Sequence, residues 1–93
     1  MSLYTFILEY RGGTYIAQCN ARSLAQACAK WSKDLDETLV WGLGRTGKES
    51  LIREMSEYLP KPLEETKNVW CGSAIVRGKL ALVNIVKTAP AES

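Results

Sequence analysis

Residues 80–87 read Leu-Ala-Leu-Val-Asn-Ile-Val-Lys, a strand-forming run that is apolar on both alternating sides from Leu80 to Val86 except at Asn84. Strands of this kind usually lie inside a sheet and are covered on both faces. Residues 69–76 form a second strand-forming run, and an Arg-Gly-Lys turn at residues 77–79 connects the two. The end of the chain therefore predicts a β-hairpin whose last strand is central in a sheet.

A one-sided hairpin is predicted near the start of the chain. Residues 4–10 and 14–20 flank an Arg-Gly-Gly turn, and period-2 alternation gives them one apolar side and one mostly polar side. With Gly12-Gly13 as the two-residue loop, Tyr10 faces Tyr15 across the hairpin. The aromatic residues then share one side of the hairpin, and we expect that side to be core and not a platform for stacking nucleobases.

Two amphipathic helices are predicted between the hairpins. Ser23 and Gln26 form a capping-box pattern, and the apolar spacing that follows predicts a helix from Ser23 to about Leu35. We expect this helix to lie on the aromatic side of the first hairpin. A weaker helix is predicted from Thr46 to Pro60, because a proline ends the apolar pattern there.

The two connecting segments differ in composition. Residues 38–41 are β-branched and aromatic, which favours a short third strand, whereas residues 61–68 are polar and predict an exposed connection. These elements predict a single α+β domain over residues 1–93. We expect a mostly antiparallel four- or five-stranded sheet in the order ββαβαββ, with helices mainly on one face.

Composition restricts the possible chemistry. Twelve Lys and Arg against ten Asp and Glu give a net charge of +2, which does not by itself indicate a nucleic-acid partner. The chain has no histidine, so a His-dependent catalytic triad is impossible. Cys19, Cys28 and Cys71 lack Cys-x-x-Cys spacing and are interpreted as reduced structural thiols of a cytoplasmic protein. We predict no catalytic residue, cofactor, metal site or membrane span.

A glycine-rich segment resembles a phosphate-binding loop only in part. Gly42, Gly47 and Lys48 fit a Walker A pattern, but Glu49 occupies the position that needs a hydroxyl for magnesium. The simpler interpretation is a flexible start to the second helix. The alternative is a weak anion site at the helix N-terminus, with Gly44, Arg45, Gly47 and Lys48 as its candidate contacts.

The hairpin turns suggest a second kind of site. Arg11, Arg77 and Lys79 would approach nucleic-acid phosphates together if both turns lie at the same end of the sheet. Hairpin turns are exposed, however, so charged residues there are also expected without any binding function.

The apolar second hairpin carries the leading hypothesis. One of its faces can lie under helices, and the other needs a cover: the second helix, a partner subunit or a ligand. Asn84 can fix the register of such an interface or can simply face outward at a sheet edge. We therefore expect a non-enzymatic protein-interaction module that acts as a homodimer or adaptor. Its predicted interface residues are Leu80, Leu82, Asn84 and Val86.

The first third of the chain resembles the HicB-type antitoxin family. The resemblance lies in residues 4–9, in residues 12–17 and in the helix opened by Ser-Leu-Ala-Gln-Ala at residues 23–27. It implies an antiparallel sheet with a helix on one face. The chain contains no segment that resembles the helix-turn-helix or ribbon-helix-helix tail of that family. An equally good description is a small bacterial domain that shares only the hairpin and helix.

Overall fold

Five strands form one antiparallel sheet in the computed structural model, which describes residues 1–88. The strands are β1 (Ser2–Tyr10), β2 (Gly13–Ala21), β3 (Lys61–Pro62), β4 (Val69–Val76) and β5 (Lys79–Thr88). Their order across the sheet is β2-β1-β5-β4-β3. The helices are α1 (Leu24–Asp34) and α2 (Gly44–Glu57), with a 3-10 turn at Glu37–Leu39 between them. The predicted α+β class with a mostly antiparallel sheet is confirmed.

The position of one strand was predicted wrongly. Residues 38–41 do not form a strand, because the Asp36 carboxylate caps a 3-10 turn by accepting hydrogen bonds from the backbone N–H and the hydroxyl of Thr38. The strand outside the two hairpins is instead β3, which lies in the segment expected to be an exposed connection. Its residue Lys61 pairs with Cys71 on β4. The element order is therefore ββααβββ.

The pairing of β1 with β5 joins the two hairpins into one sheet. It extends from the pair Leu3–Thr88 to the pair Tyr10–Ala81, and it places β5 at the centre of the sheet, as predicted. The small side chain of Ala81 lies beside Tyr10, whose buried hydroxyl donates a 2.8 Å hydrogen bond to the carbonyl of Val76 on β4. One aromatic residue thus connects the first hairpin to the second.

The register of the first hairpin differs from the predicted one by two residues. Tyr10 pairs with Gly13, so the two-residue loop is Arg11-Gly12 and not Gly12-Gly13. Both loop residues have positive φ, 51° and 84°, as a type I′ turn requires. A shift of two residues keeps every side chain on its predicted face, because side chains alternate with period 2.

The core lies between the sheet and the two helices. Ser23 caps α1 by accepting a hydrogen bond from the N–H of Gln26, as the capping-box pattern predicted. The apolar side of α1 then packs on β1, where the Trp31 ring stacks on Phe6 with 4.9 Å between ring centroids. The predicted core aromatics Tyr4, Phe6 and Tyr10 are all buried.

Helix α2 begins two residues earlier than predicted and ends at Glu57, three residues before the proline that was expected to end it. Its buried residues Leu51 and Met55 join the same core cluster as α1. Both helices therefore pack on one face of the sheet, as predicted.

Replacement of Trp31 by alanine is expected to lower the free energy of unfolding by about 3–5 kcal/mol, because the large buried ring would leave a cavity against Phe6. Urea denaturation measures this change. Trp41→Ala is the matched control, since Trp41 is 68% exposed and its replacement should cost about 1 kcal/mol or less. Equal losses for the two variants would contradict the core described here.

Candidate functional site

No helix of residues 1–88 lies over one face of the sheet. We call this the open face; it comprises the side chains of β1, β2, β4 and β5 that point away from α1 and α2. Ile16 is 67% exposed, Ile75 67% and Leu80 53%. Around them lie half-buried apolar residues, namely Leu3, Ile7, Val69, Leu82 and Val86. An apolar surface spread over four strands is a feature of interaction sites.

The four predicted interface residues all lie on the open face along β5. Leu80 pairs with Ile75 on β4, which brings two exposed apolar side chains together. Asn84 lies between Ile7 on β1 and Cys71 on β4. Asn84 is therefore on the central strand, and the alternative placement at a sheet edge is wrong. Its side chain faces away from the core, because the flanking Val83 and Ile85 point into it. The second helix does not cover this face, since it packs on the other side.

A row of polar side chains crosses one end of the open face. The side-chain amide of Gln18 donates a 2.9 Å hydrogen bond to the Thr5 hydroxyl, and that hydroxyl is also hydrogen-bonded to the hydroxyl of Thr88. These three residues come from β2, β1 and β5. The open face is thus mixed: apolar side chains lie on all four strands, and Thr5, Glu9 and Asn84 lie among them. Protein–protein interfaces are commonly mixed in this way, since as a whole they are only about as apolar as the rest of a protein surface.

Sequence reasoning did not select Ile16 or Ile75 as interface residues, although they are the most exposed apolar residues of the open face. Ile75 pairs with Leu80 and therefore lies on the same side of its hairpin as the four predicted interface residues. The missing information was the pairing of β1 with β5, which makes the outward sides of the two hairpins one continuous face.

The two hairpin turns lie at the same end of the sheet, because β1 and β5 are antiparallel. The structure thereby brings the predicted residues Arg11, Arg77 and Lys79 to one end, which we call the basic end. Gly44, the first residue of α2, lies close to the Arg77 guanidinium. The exposed Arg45 follows it, so the predicted nucleic-acid and anion sites meet there.

The two turn arginines contact the segment of residues 41–44. The Arg11 guanidinium lies 4.7 Å from the ring centroid of Trp41, and Arg77 Nη1 donates a 3.5 Å hydrogen bond to the carbonyl of Leu43. Both arginines have positive φ, which is uncommon for residues other than glycine. These contacts give the arginines a structural role in holding the start of α2, and sequence reasoning missed Trp41 as their partner.

The four residues of the predicted anion loop do not converge on one exposed site. Residues 44–48 are the first turns of α2 and not a loop. Gly47 is buried, and a Cβ built there would lie 2.8 Å from Leu43 Cδ1, so its glycine allows close packing. Lys48 forms a 3.7 Å ion pair with Glu37 of the 3-10 turn. Among the four, Gly44 and Arg45 lie at the basic end.

A groove runs beside β2, the long edge strand of the sheet. Its volume is about 370 Å³, and its walls are β2, the end of α1 and the 3-10 turn. Trp31, Leu35, Leu39 and Val40 give it an apolar lining, and Asp34 and Asp36 add two carboxyl groups. The hydrogen bonds from Thr38 hold the pKa of Asp36 below its usual value. Sequence reasoning did not find this groove, because residues 38–41 were expected to be a strand.

The cysteines are free thiols that differ in burial. Cys28 is buried, and Cys19 and Cys71 are half-buried. Burial, with a smaller effect from the neighbouring Cys19, raises the pKa of Cys28 from 9.0 to about 11. Burial also raises the pKa of Cys19. Both shifts oppose formation of a reactive thiolate at neutral pH.

Within residues 1–88, no helix is long and apolar enough to cross a membrane, and no three His, Cys, Asp or Glu side chains form a group that could hold a metal ion. Comparisons with protein-family models, with curated proteins and with solved structures found no match to this chain. The resemblance to HicB-type antitoxins therefore stays a prediction.

The raised pKa of Cys28 predicts a loss of stability in alkali. Because its folded-state pKa of about 11 lies above its ordinary value of 9.0, the thiol stabilises the fold below pH 9, and this contribution is lost as the pH rises towards 11. Urea denaturation from pH 7 to pH 11 should show a smaller decline in stability for Cys28→Ala than for the wild type. Parallel pH profiles would contradict this assignment.

Proposed function

We propose that this protein is a non-enzymatic interaction module of the cytoplasm that binds another protein through its open face. The observation that carries the proposal is the apolar surface of β1, β2, β4 and β5, which no helix of residues 1–88 covers and which is most exposed at Ile16, Ile75 and Leu80. A second copy of the chain is the partner we favour, and a different protein, with the chain as adaptor, is the alternative.

The size of the open face supports a second copy. The four long strands, about 4.8 Å apart and about 30 Å long, cover roughly 600 Å² in projection. Two such faces would bury at least about 1,200 Å², which is the lower limit of specific, stable interfaces. Two sheets that pack face to face with their side chains interdigitated form the core of a β-sandwich, so this is a common way to cover such a surface.

The shape of the open face also supports docking. A depression of about 240 Å³ lies between Leu80, Leu82 and the first hairpin turn, with Glu9 and Arg11 beside it. Leu80 and Leu82 give this depression one apolar wall, and the opposite charges of Glu9 and Arg11 at its border can orient a partner. In a two-fold dimer each copy offers the same depression and the same protruding Ile75.

The proposal predicts a dimer that charge on the open face disrupts. Light scattering of the chromatographed wild type at about 100 µM should give twice the chain mass of 10.3 kDa. Ile75→Lys combined with Leu80→Lys should give the monomer mass with the far-UV spectrum unchanged, because the lysines would be desolvated in the interface. Leu39→Lys is the matched control: Leu39 is 72% exposed but lies on the helix side, so it should leave the dimer intact.

A monomeric wild type at that concentration would contradict the homodimer and leave the adaptor form of the proposal. If the double lysine variant of the open face stays dimeric and Leu39→Lys becomes monomeric, the interface lies outside the open face.

Nucleic-acid binding is a second candidate, because Arg11, Arg77, Lys79 and Arg45 come together at the basic end. Arg11 and Arg77 also hold the start of α2, so the two remaining cations are better targets for substitution. Lys79 and Arg45 are both exposed.

Fluorescence anisotropy with a 20-nucleotide single-stranded RNA tests this candidate. Binding should weaken as the salt concentration increases. The double variant Arg45→Ser/Lys79→Ser should reduce the magnitude of the slope of log K against log salt by about 1.4, because each lost phosphate contact removes about 0.7. Lys87→Ser is the control, since Lys87 lies at the opposite end of β5. Failure to bind at 50 mM salt would exclude this candidate.

A further inference from the structure

We propose that the groove beside β2 binds an extended, cationic peptide segment of another protein, which adds to the sheet as a sixth strand. This inference concerns a surface separate from the β5 residues that carry the proposed function. It rests on three observations: the free edge of β2, the apolar groove along that edge and the carboxyl groups beside it.

The two edges of the sheet are built differently. At one edge, β3 has only two residues, Lys61 and Pro62, and both types hinder the addition of another strand. At the other edge, β2 extends over nine residues and contains neither a proline nor a charged side chain. The long edge thus lacks the usual protection against pairing, which is the property that strand-addition sites share.

The register of the hairpin shows which backbone groups face outward. The pair Tyr10–Gly13 flanks a two-residue turn, so it is hydrogen-bonded, and alternate pairs along the ladder follow it. The residues in between direct their N–H and C=O groups away from β1: Thr14, Ile16, Gln18 and Asn20. The Lys30 ammonium donates a 2.9 Å hydrogen bond to the Asn20 carbonyl, which agrees with this orientation. Thr14, Ile16 and Gln18 then offer three donors and three acceptors to an added strand.

The groove supplies contacts for side chains of that strand. Alternate residues of an added strand would point to the helix side, where Trp31, Leu35 and Leu39 line a space of about 370 Å³. This space is large enough for a bulky aliphatic or aromatic side chain. Leu39 is largely exposed, and an exposed large apolar side chain beside a groove is a feature of binding sites.

The charge of the groove selects the partner. Asp34 is the last residue of α1, where a negative charge is unfavourable because the carbonyl end of a helix is itself negative. Asp36 lies beside it and remains ionised, because Thr38 stabilises its carboxylate. The nearby Lys48 forms an ion pair with Glu37 and makes a smaller contribution to the lowered pKa of Asp36. A Lys or Arg next to the bulky apolar residue of the peptide would complement Asp34 and Asp36.

A nine-residue random peptide library displayed on phage, selected against the whole chain, tests the proposal. Enriched peptides should combine Lys or Arg with bulky apolar residues. The most enriched one, made synthetically, should shift the amide NMR signals of Thr14, Ile16 and Gln18. Gln18→Pro should abolish binding, because it removes an outward N–H. The control Gln18→Thr also loses the side-chain hydrogen bond to Thr5 but keeps that N–H, so it should still bind the peptide.

The charge contribution is tested separately. Asp34→Lys should weaken the same peptide at least fivefold in low salt and leave the fold intact, because Asp34 is exposed. The proposal is overturned if no peptide is enriched over the Gln18→Pro variant, if the enriched peptides are acidic, or if the shifted amides lie away from β2. It is also overturned if the Thr14, Ile16 and Gln18 amides are already protected from exchange without peptide, since a second copy would then occupy this edge.

Discussion

The antiparallel pairing of β1 with β5 is the interaction on which the rest of this structure depends. Each hairpin alone would be marginal in water, and this ladder joins them into one sheet with β5 at its centre. The same pairing aligns the aromatic side of the first hairpin with one side of the second, so that α1 and α2 cover a continuous core. The opposite side is continuous as well, and nothing in residues 1–88 covers it.

Three surfaces with different chemistry result from this arrangement. The open face carries exposed apolar side chains with polar ones among them. The basic end contains the two hairpin turns, and the β2 groove combines an unpaired strand edge with two carboxyl groups. The basic end has an evident structural use, because Arg11 and Arg77 hold residues 41–44. Within residues 1–88 the open face and the β2 groove have no comparable internal use, and for this reason we propose binding functions for them.

Much of the fold could be predicted from the sequence, because local patterns determine it. The alternation in both hairpins gave the correct faces, and the capping box at Ser23 gave the correct start of α1. The errors occurred where local preference competes with capping or turn geometry: Asp36 directs residues 37–39 into a 3-10 turn, and the Arg11-Gly12 turn shifts the first register by two residues. The β2 groove was missed because it requires three elements that are distant in sequence.

The central claim is that the open face is an interface, and the solvent accessibility of its methyl groups tests it most directly. A soluble paramagnetic reagent broadens the NMR signals of exposed methyl groups. Ile75 and Leu80 should be broadened at low micromolar protein and protected at about 100 µM, whereas Leu39 should be broadened at both concentrations. Equal broadening of all three residues at both concentrations, with and without candidate partner proteins, would contradict the claim.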